Sequence, residues 1–200
     1  MDHTTPIHFF DRELQVDTVR ILPGQYYAGA GHGSISTVLG SCVATCLWDP
    51  VLRIGGMNHF MLPGGQGTPS LWGVSTRFGV HAMEVLINEM IRRGVERRRL
   101  VAKVFGGANV LKGFEMLDVG ARNSEFVLTF LREEGIALKA QDLLGSSPRK
   151  LHFFPETGQV KLKRLHLVAD DDIQRQERAY LDRLGDNAGG GDVELFTGKP

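Results

Sequence analysis

Residues 39–63 read LGSCVATCLWDPVLRIGGMNHFMLP. The stretch holds both cysteines of the 200-residue chain and one of its seven histidines, inside some of its most apolar sequence. Two β-prone runs, CVATCLWDP and IGGMNHFMLP, meet around DPVLR. Asp-Pro starts a turn readily, because proline fixes φ and the Asp side chain bonds to nearby backbone. A turn centred near Pro50 and Val51 makes an antiparallel hairpin in which Cys42 opposes His59. Directly opposed residues share one face, with Cβ atoms ~4.5–5.5 Å apart, so a thiol and an imidazole there approach hydrogen-bonding distance. A slip of one residue would send His59 to the other face.

Outward from this hairpin the chain divides into three parts. Residues 1–15 read as a loose leader, 16–169 as one domain, and 170–200 as a charged helix with a flexible tail. Within the domain, VDTVRIL and SISTVL precede the hairpin as further short β-prone runs. Residues 64–75, GGQGTPSLWGVS, read as a Gly-rich loop. An amphipathic helix is expected from about Arg77 to Arg93, with Val80, Met83, Leu86, Ile87, Met90 and Ile91 at helical spacing and Gly94 as its stop. RLVAKVF (99–105) reads as a buried strand. A second helix is expected from Ser124 to Glu134, capped by Asn123 or Ser124 and ended by Gly135. IALKAQDL, KLHFF and QVKLKRL read as strands, the last two joined by PETG. Strands alternating irregularly with helices imply an α+β class, an α/β layered sandwich of mixed, largely antiparallel sheets with helices packed outside.

Composition narrows the function. Lys+Arg and Asp+Glu both number 23, so formal net charge is zero and there is no broad basic footprint for nucleic acid or anionic membrane. The runs RRGVERRR and PRKLHFFPETGQVKLKRL read as solvated faces. The N-terminus lacks an apolar signal core, and no apolar run approaches the ~20 residues that cross a bilayer. Two cysteines do not make a disulfide scaffold. The expectation is a cytoplasmic protein with reduced thiols.

Cys42, Cys46 and His59 admit three readings: core packing, metal binding, or a nucleophile with its base. Free cysteine is often simply buried, and Cys46 reads that way. On a strand it stands ~13 Å from Cys42, too far for a disulfide. A structural zinc usually takes four ligands; no CxxC knuckle or fourth ligand follows, so no metal is expected. His81, His152 and His166 read as core or surface histidines, and neither FGGAN nor GGQG has a phosphate-loop pattern. In the catalytic reading Cys42 is the nucleophile. Its thiol, with an ordinary pKa of ~8.5, needs a neighbouring imidazole to form thiolate at neutral pH. Gly40 and Ser41 leave room at a bend whose backbone N–H groups can receive an oxyanion. Ser36 and Thr37 offer hydroxyls to orient the base, and strand alternation lets only one of them face it. The reading also requires that solvent and an incoming amide reach both sulfur and ring.

The blocks LPGQYYAG, TVLGSCVATCLWDP, IGGMNHFMLP, RFGVHAMEVLINEMIRRG, AKVFGGANVL, GARNSEFVLTFLREEGI and SPRKLHFFPETGQVKLKRL span about residues 20–167. In this order they resemble CheD, the bacterial chemoreceptor glutamine deamidases. The resemblance implies that Cys42 is the nucleophile and His59 its base. The family's orienting Thr falls on Ser36 here, with Thr37 beside it. It further implies a fold similar to the catalytic domain of glutamine-deamidating bacterial toxins. The implied activity is conversion of receptor glutamines to glutamate in chemotaxis adaptation, with glutamyl methyl ester hydrolysis as a related one. The implied partners are methyl-accepting chemoreceptors and a CheC-like phosphatase, with no cofactor. The alternative is a binding module for receptors or a chemotaxis phosphatase, carrying a vestigial site.

Overall fold

A computed structural model describes residues 5–63, 74–109, 119–165 and 170–188. Among the described residues, ten strands form two five-stranded mixed sheets, accompanied by three α-helices. The first sheet has the order β1 (Ile7–Asp11), β2 (Val16–Arg20), β4 (Ser34–Leu39), β9 (Arg149–Phe154), β10 (Gln159–Arg164). The second has the order β3 (Tyr26–Ala30), β6 (Ile54–Asn58), β5 (Val43–Asp49), β7 (Val101–Gly106), β8 (Ala137–Leu143). Among the described strands, only β2–β4 and β7–β8 pair in parallel. This is the layered α+β class read from the sequence.

Alternation along β5 builds the layers. Ala44 and Cys46 point to one side, where they meet Ile35, Leu39, Leu151 and Phe153 of the first sheet. Val43 and Leu47 point to the other side, against α1 (Val74–Arg92) and α2 (Val119–Glu133). There Met83, Leu86, Ile87 and Met90 of α1, with Val127, Phe130 and Leu131 of α2, close the second core. Gly55 lets the sheets meet closely, since a Cβ there would stand 2.6 Å from the Phe153 ring. Asn58 is buried but fully used. It accepts from Thr45 N at 2.9 Å and donates to Ala82 O at 2.9 Å, tying the β5–β6 ribbon to α1. No described helix is long and apolar enough to cross a membrane.

Four local expectations change. The hairpin loop takes Pro50–Arg53, because Asp49 accepts from Val51 N at 2.8 Å and Leu52 N at 3.2 Å and Arg53 takes a left-handed φ of 54°. Cys46 therefore opposes Met57, and Val43 opposes Phe60, so Cys42 and His59 are not direct partners. The displacement is an even number of residues, which keeps both on one face. Residues 7–11 of the expected loose leader form β1, paired to β2, with the turn between them held by Asp11 accepting from Glu13 N and Leu14 N. α2 starts at Val119, so Asn123 and Ser124 lie inside it and do not cap it; Ser124 Oγ donates back to Gly120 O at 2.7 Å. β3 is a strand that the β-prone runs of the sequence do not include. The expected Gly-rich loop at 64–75 falls, up to residue 73, outside the described residues, as do His166 and the tail from 189.

Candidate active site

Strand β4 belongs to the first sheet and β5 to the second, so the chain crosses between sheets at Gly40, Ser41 and Cys42. Neither ladder uses the N–H groups of that crossing. Their carbonyls, in contrast, are all held. Gly40 O accepts from Ala108 N at 2.8 Å, Cys42 O accepts from Gly107 N at 2.8 Å, and Ser41 O accepts from Asn123 Nδ2 at 2.8 Å. With three carbonyls held from outside, the three N–H groups turn inward as an anion-binding nest. Gly106 makes this possible: its φ is +115°, and any Cβ would collide with Cys42 O.

His59 follows directly on β6. Its backbone is held by Gln25 O, which accepts His59 N, and by Gly24 N, which donates to His59 O. Thr37 Oγ1 lies 2.8 Å from His59 Nδ1 and also donates to Ile21 O at 2.8 Å. The hydroxyl proton is thus engaged, and the ring nitrogen beside it must be the donor. Nδ1 carries the hydrogen, and Nε2 keeps a free lone pair. Nε2 is buried with no hydrogen-bond partner among the described residues. Ser36, one residue earlier, points away, and its buried hydroxyl has no partner among them either. Of the two hydroxyls, Thr37 is the one at the imidazole.

Cys42 and His59 come together with Glu177 of α3 (Asp170–Ala188): sulfur, ring nitrogen and carboxylate oxygen all lie within 4.8 Å of one another. Glu177 fills the nest. Oε1 accepts from Gly40 N at 2.9 Å and Cys42 N at 3.1 Å; Oε2 accepts from Ser41 N at 2.9 Å and Ser41 Oγ at 2.6 Å. The trio offers three metal-ligand types, but both carboxylate oxygens are already committed to these four donors.

The sequence reading required an open site, and here the site is closed. Cys42 is 0% exposed and His59 2%. Burial pushes the Cys42 thiol up, and the Glu177 carboxylate pushes it further. Burial alone pulls the imidazole down to about 3, so the ring is neutral. Cys46 is also free and buried, among the core residues between the sheets.

The roles of Asn123, the Gly106–Gly107–Ala108 loop and Glu177 at this site are not legible in the sequence. FGGAN lacks a phosphate-loop pattern; it holds the nest from behind, through Gly107 N and Ala108 N. For α3 a signal did exist: Tyr180, Leu181 and Leu184 are apolar residues at helical spacing on an otherwise charged helix.

The fold and site define a class: a layered α+β protein that gathers a thiol, an imidazole fixed in one tautomer and a backbone anion nest at a single point. The chain matches the family model for CheD chemotactic sensory transduction over residues 61–164. It is similar to a probable chemoreceptor glutamine deamidase CheD 1 from Shewanella oneidensis, 50% identical over 192 residues, which cover 96% of this chain and 93% of that one. A probable chemoreceptor glutamine deamidase CheD from Thiobacillus denitrificans is 49% identical, over 94% of each chain. A counterpart from Dechloromonas aromatica is 47% identical over 98% of this chain and 96% of its own. The chain belongs to the CheD family.

Proposed function

We propose that the chain is a protein-glutamine deamidase that hydrolyses glutamine side chains of chemoreceptors to glutamate, with Cys42 as nucleophile. The observation that carries the reading is the convergence of the Cys42 sulfur, the His59 imidazole, whose Nε2 has no partner among the described residues, and three inward N–H groups. His59 Nε2 takes the thiol proton as sulfur attacks the carboxamide carbon. The N–H groups of Gly40, Ser41 and Cys42 hold the tetrahedral oxyanion. The imidazolium returns its proton to the departing nitrogen, and ammonia leaves a thioester. A water, deprotonated by the same Nε2, attacks the thioester carbon; the C–S bond breaks, and glutamate and free thiol remain. Thr37 keeps Nε2 facing the reaction throughout.

The same acyl chemistry extends to glutamyl methyl esters, with methanol as leaving group. A CheC-like phosphatase is a second partner of the same reading. The test is ammonia release from a receptor fragment, with mass spectrometry locating glutamine-to-glutamate conversion. Cys42→Ala is expected to abolish both signals. Receptor cleavage in place of conversion, or full activity in Cys42→Ala, would overturn the assignment.

A further inference from the structure

Glu177 is a glutamate side chain on a helix, and a glutamate side chain is what the proposed reaction makes. Its carboxylate occupies the nest that receives the oxyanion, within 4.8 Å of both sulfur and imidazole. Residues three, four and seven further along the helix hold it down. Tyr180 and Leu181 pack on the inter-sheet core that contains Cys42, and Leu184 is 5% exposed. Gly24 leaves space for the Tyr180 ring, which a Cβ there would meet at 2.9 Å. Gly24 is also the residue whose N–H holds the His59 carbonyl. The surface that receives α3 is thus continuous with the backbone that positions the base. It recognises a helix by residues i, i+3, i+4 and i+7, the anchors of helix-in-groove recognition.

We infer that α3 is an internal product mimic, and that the surface beneath it is where the substrate helix docks. This rests on the deamidase reading above. The partner that fits is an α-helix carrying glutamine at i and apolar residues at i+3, i+4 and i+7. While α3 is seated, no substrate side chain can enter the nest, and the carboxylate beside Cys42 opposes thiolate formation. Substrate helices compete with α3 for one surface, and turnover begins when α3 lifts. A carboxylate suits the nest better than a carboxamide, whose nitrogen in place of Oε2 would face the Ser41 N–H.

Two measurements on the full chain test this. In Glu177→Gln, α3 presents a glutamine to its own active site. The introduced glutamine is expected to convert to glutamate by a first-order process independent of protein concentration, followed by mass spectrometry, and to persist when Cys42→Ala is added. If it persists in a chain that still deamidates a receptor fragment, α3 is not a product mimic and the deamidase reading stands. If neither the introduced glutamine nor the receptor's is converted, the deamidase reading fails. The second measurement needs no catalysis. Iodoacetamide is expected to modify Cys42 about tenfold faster in Leu184→Asp and in Glu177→Ala than in wild type, the factor reporting the shift towards the open state. Buried Cys46 stays unmodified in the same chain as the control for an intact fold. Equal Cys42 rates in all three proteins would overturn the proposed lid.

Discussion

Thr37 and Ser36 are neighbours with the same functional group, yet only one of them meets the imidazole. Thr37 fixes the His59 tautomer because its own proton is engaged by Ile21 O. Thr37→Val keeps the shape but leaves Nδ1–H without an acceptor. Turnover on a receptor fragment is expected to fall about a hundredfold, the scale of a misplaced reacting group. Thr37→Ser should restore most of it, together with the stability lost in Thr37→Val, where the buried Nδ1–H and Ile21 O are left unpaired at about 1–3 kcal/mol each. Ser36→Ala removes a buried hydroxyl that has no partner among the described residues, so activity should hold and stability should be equal or higher. The imidazole also predicts a response to acid. Its pKa is about 3 in the folded chain and ~6.5 in the unfolded one, so the unfolded chain takes up the proton first as pH falls. The stability present above pH ~6.5 is lost towards pH ~3, at up to about 1.4 kcal/mol per pH unit. Asp11 and Asp49, held below the usual carboxylate range by hydrogen bonds, lose stability in the same direction. Comparing wild type with His59→Gln isolates the ring: urea midpoints of the variant should fall less steeply between pH 6 and pH 4.

At the scale of elements, α2 acts through one side chain. Asn123 donates to Ser41 O and accepts from Leu62 N at 2.8 Å, so it links the nest to the segment just beyond His59. Both strands of the Cys42–His59 ribbon thereby answer to the same helix. Asn123→Ala leaves a buried carbonyl and a buried N–H unpaired, each costing about 1–3 kcal/mol. Chemical denaturation should read a loss of about 2–6 kcal/mol for the two together. Turnover should also fall, beyond what the lost stability explains, because the Ser41 peptide is free to rotate its N–H out of the nest. Asn123→Asp keeps the acceptor towards Leu62 and loses the donor towards Ser41. If the nest is what matters, that variant is as slow as the alanine one.

For the whole molecule, the two sheets meet through an apolar layer that includes Phe153. This residue lies on β9, is 0% exposed, and presses on the backbone at Gly55 of the opposite sheet. Phe153→Ala opens a cavity between sheets that the glycine side cannot fill. A loss of about 3–5 kcal/mol is expected in a urea titration. The site depends on this packing as well, because the nest exists only where the chain steps from one sheet to the other. A variant that loosens the two layers should therefore lose activity at urea concentrations below its unfolding midpoint.

The layered class, most strands and the pairing of a thiol with an imidazole on one face were legible in the sequence because they are local and periodic. The β-prone runs SISTVL and CVATCLW and the Asp-Pro turn signal carry that much. A two-residue displacement of the hairpin left the face unchanged, for the same reason of parity. The missed features share one cause: they are set by residues far apart along the chain. Which of two adjacent hydroxyls reaches His59 depends on how β4 lies beside Ile21. That three N–H groups turn inward depends on Ala108, Gly107 and Asn123 holding the carbonyls from behind. That a carboxylate 135 positions along the chain from Cys42 fills the nest depends on a helix folding back over it. Sequence determined the chemical groups and their face. Only the tertiary structure decided which hydrogen bonds they make and what covers them, because those partners meet only when separate layers pack.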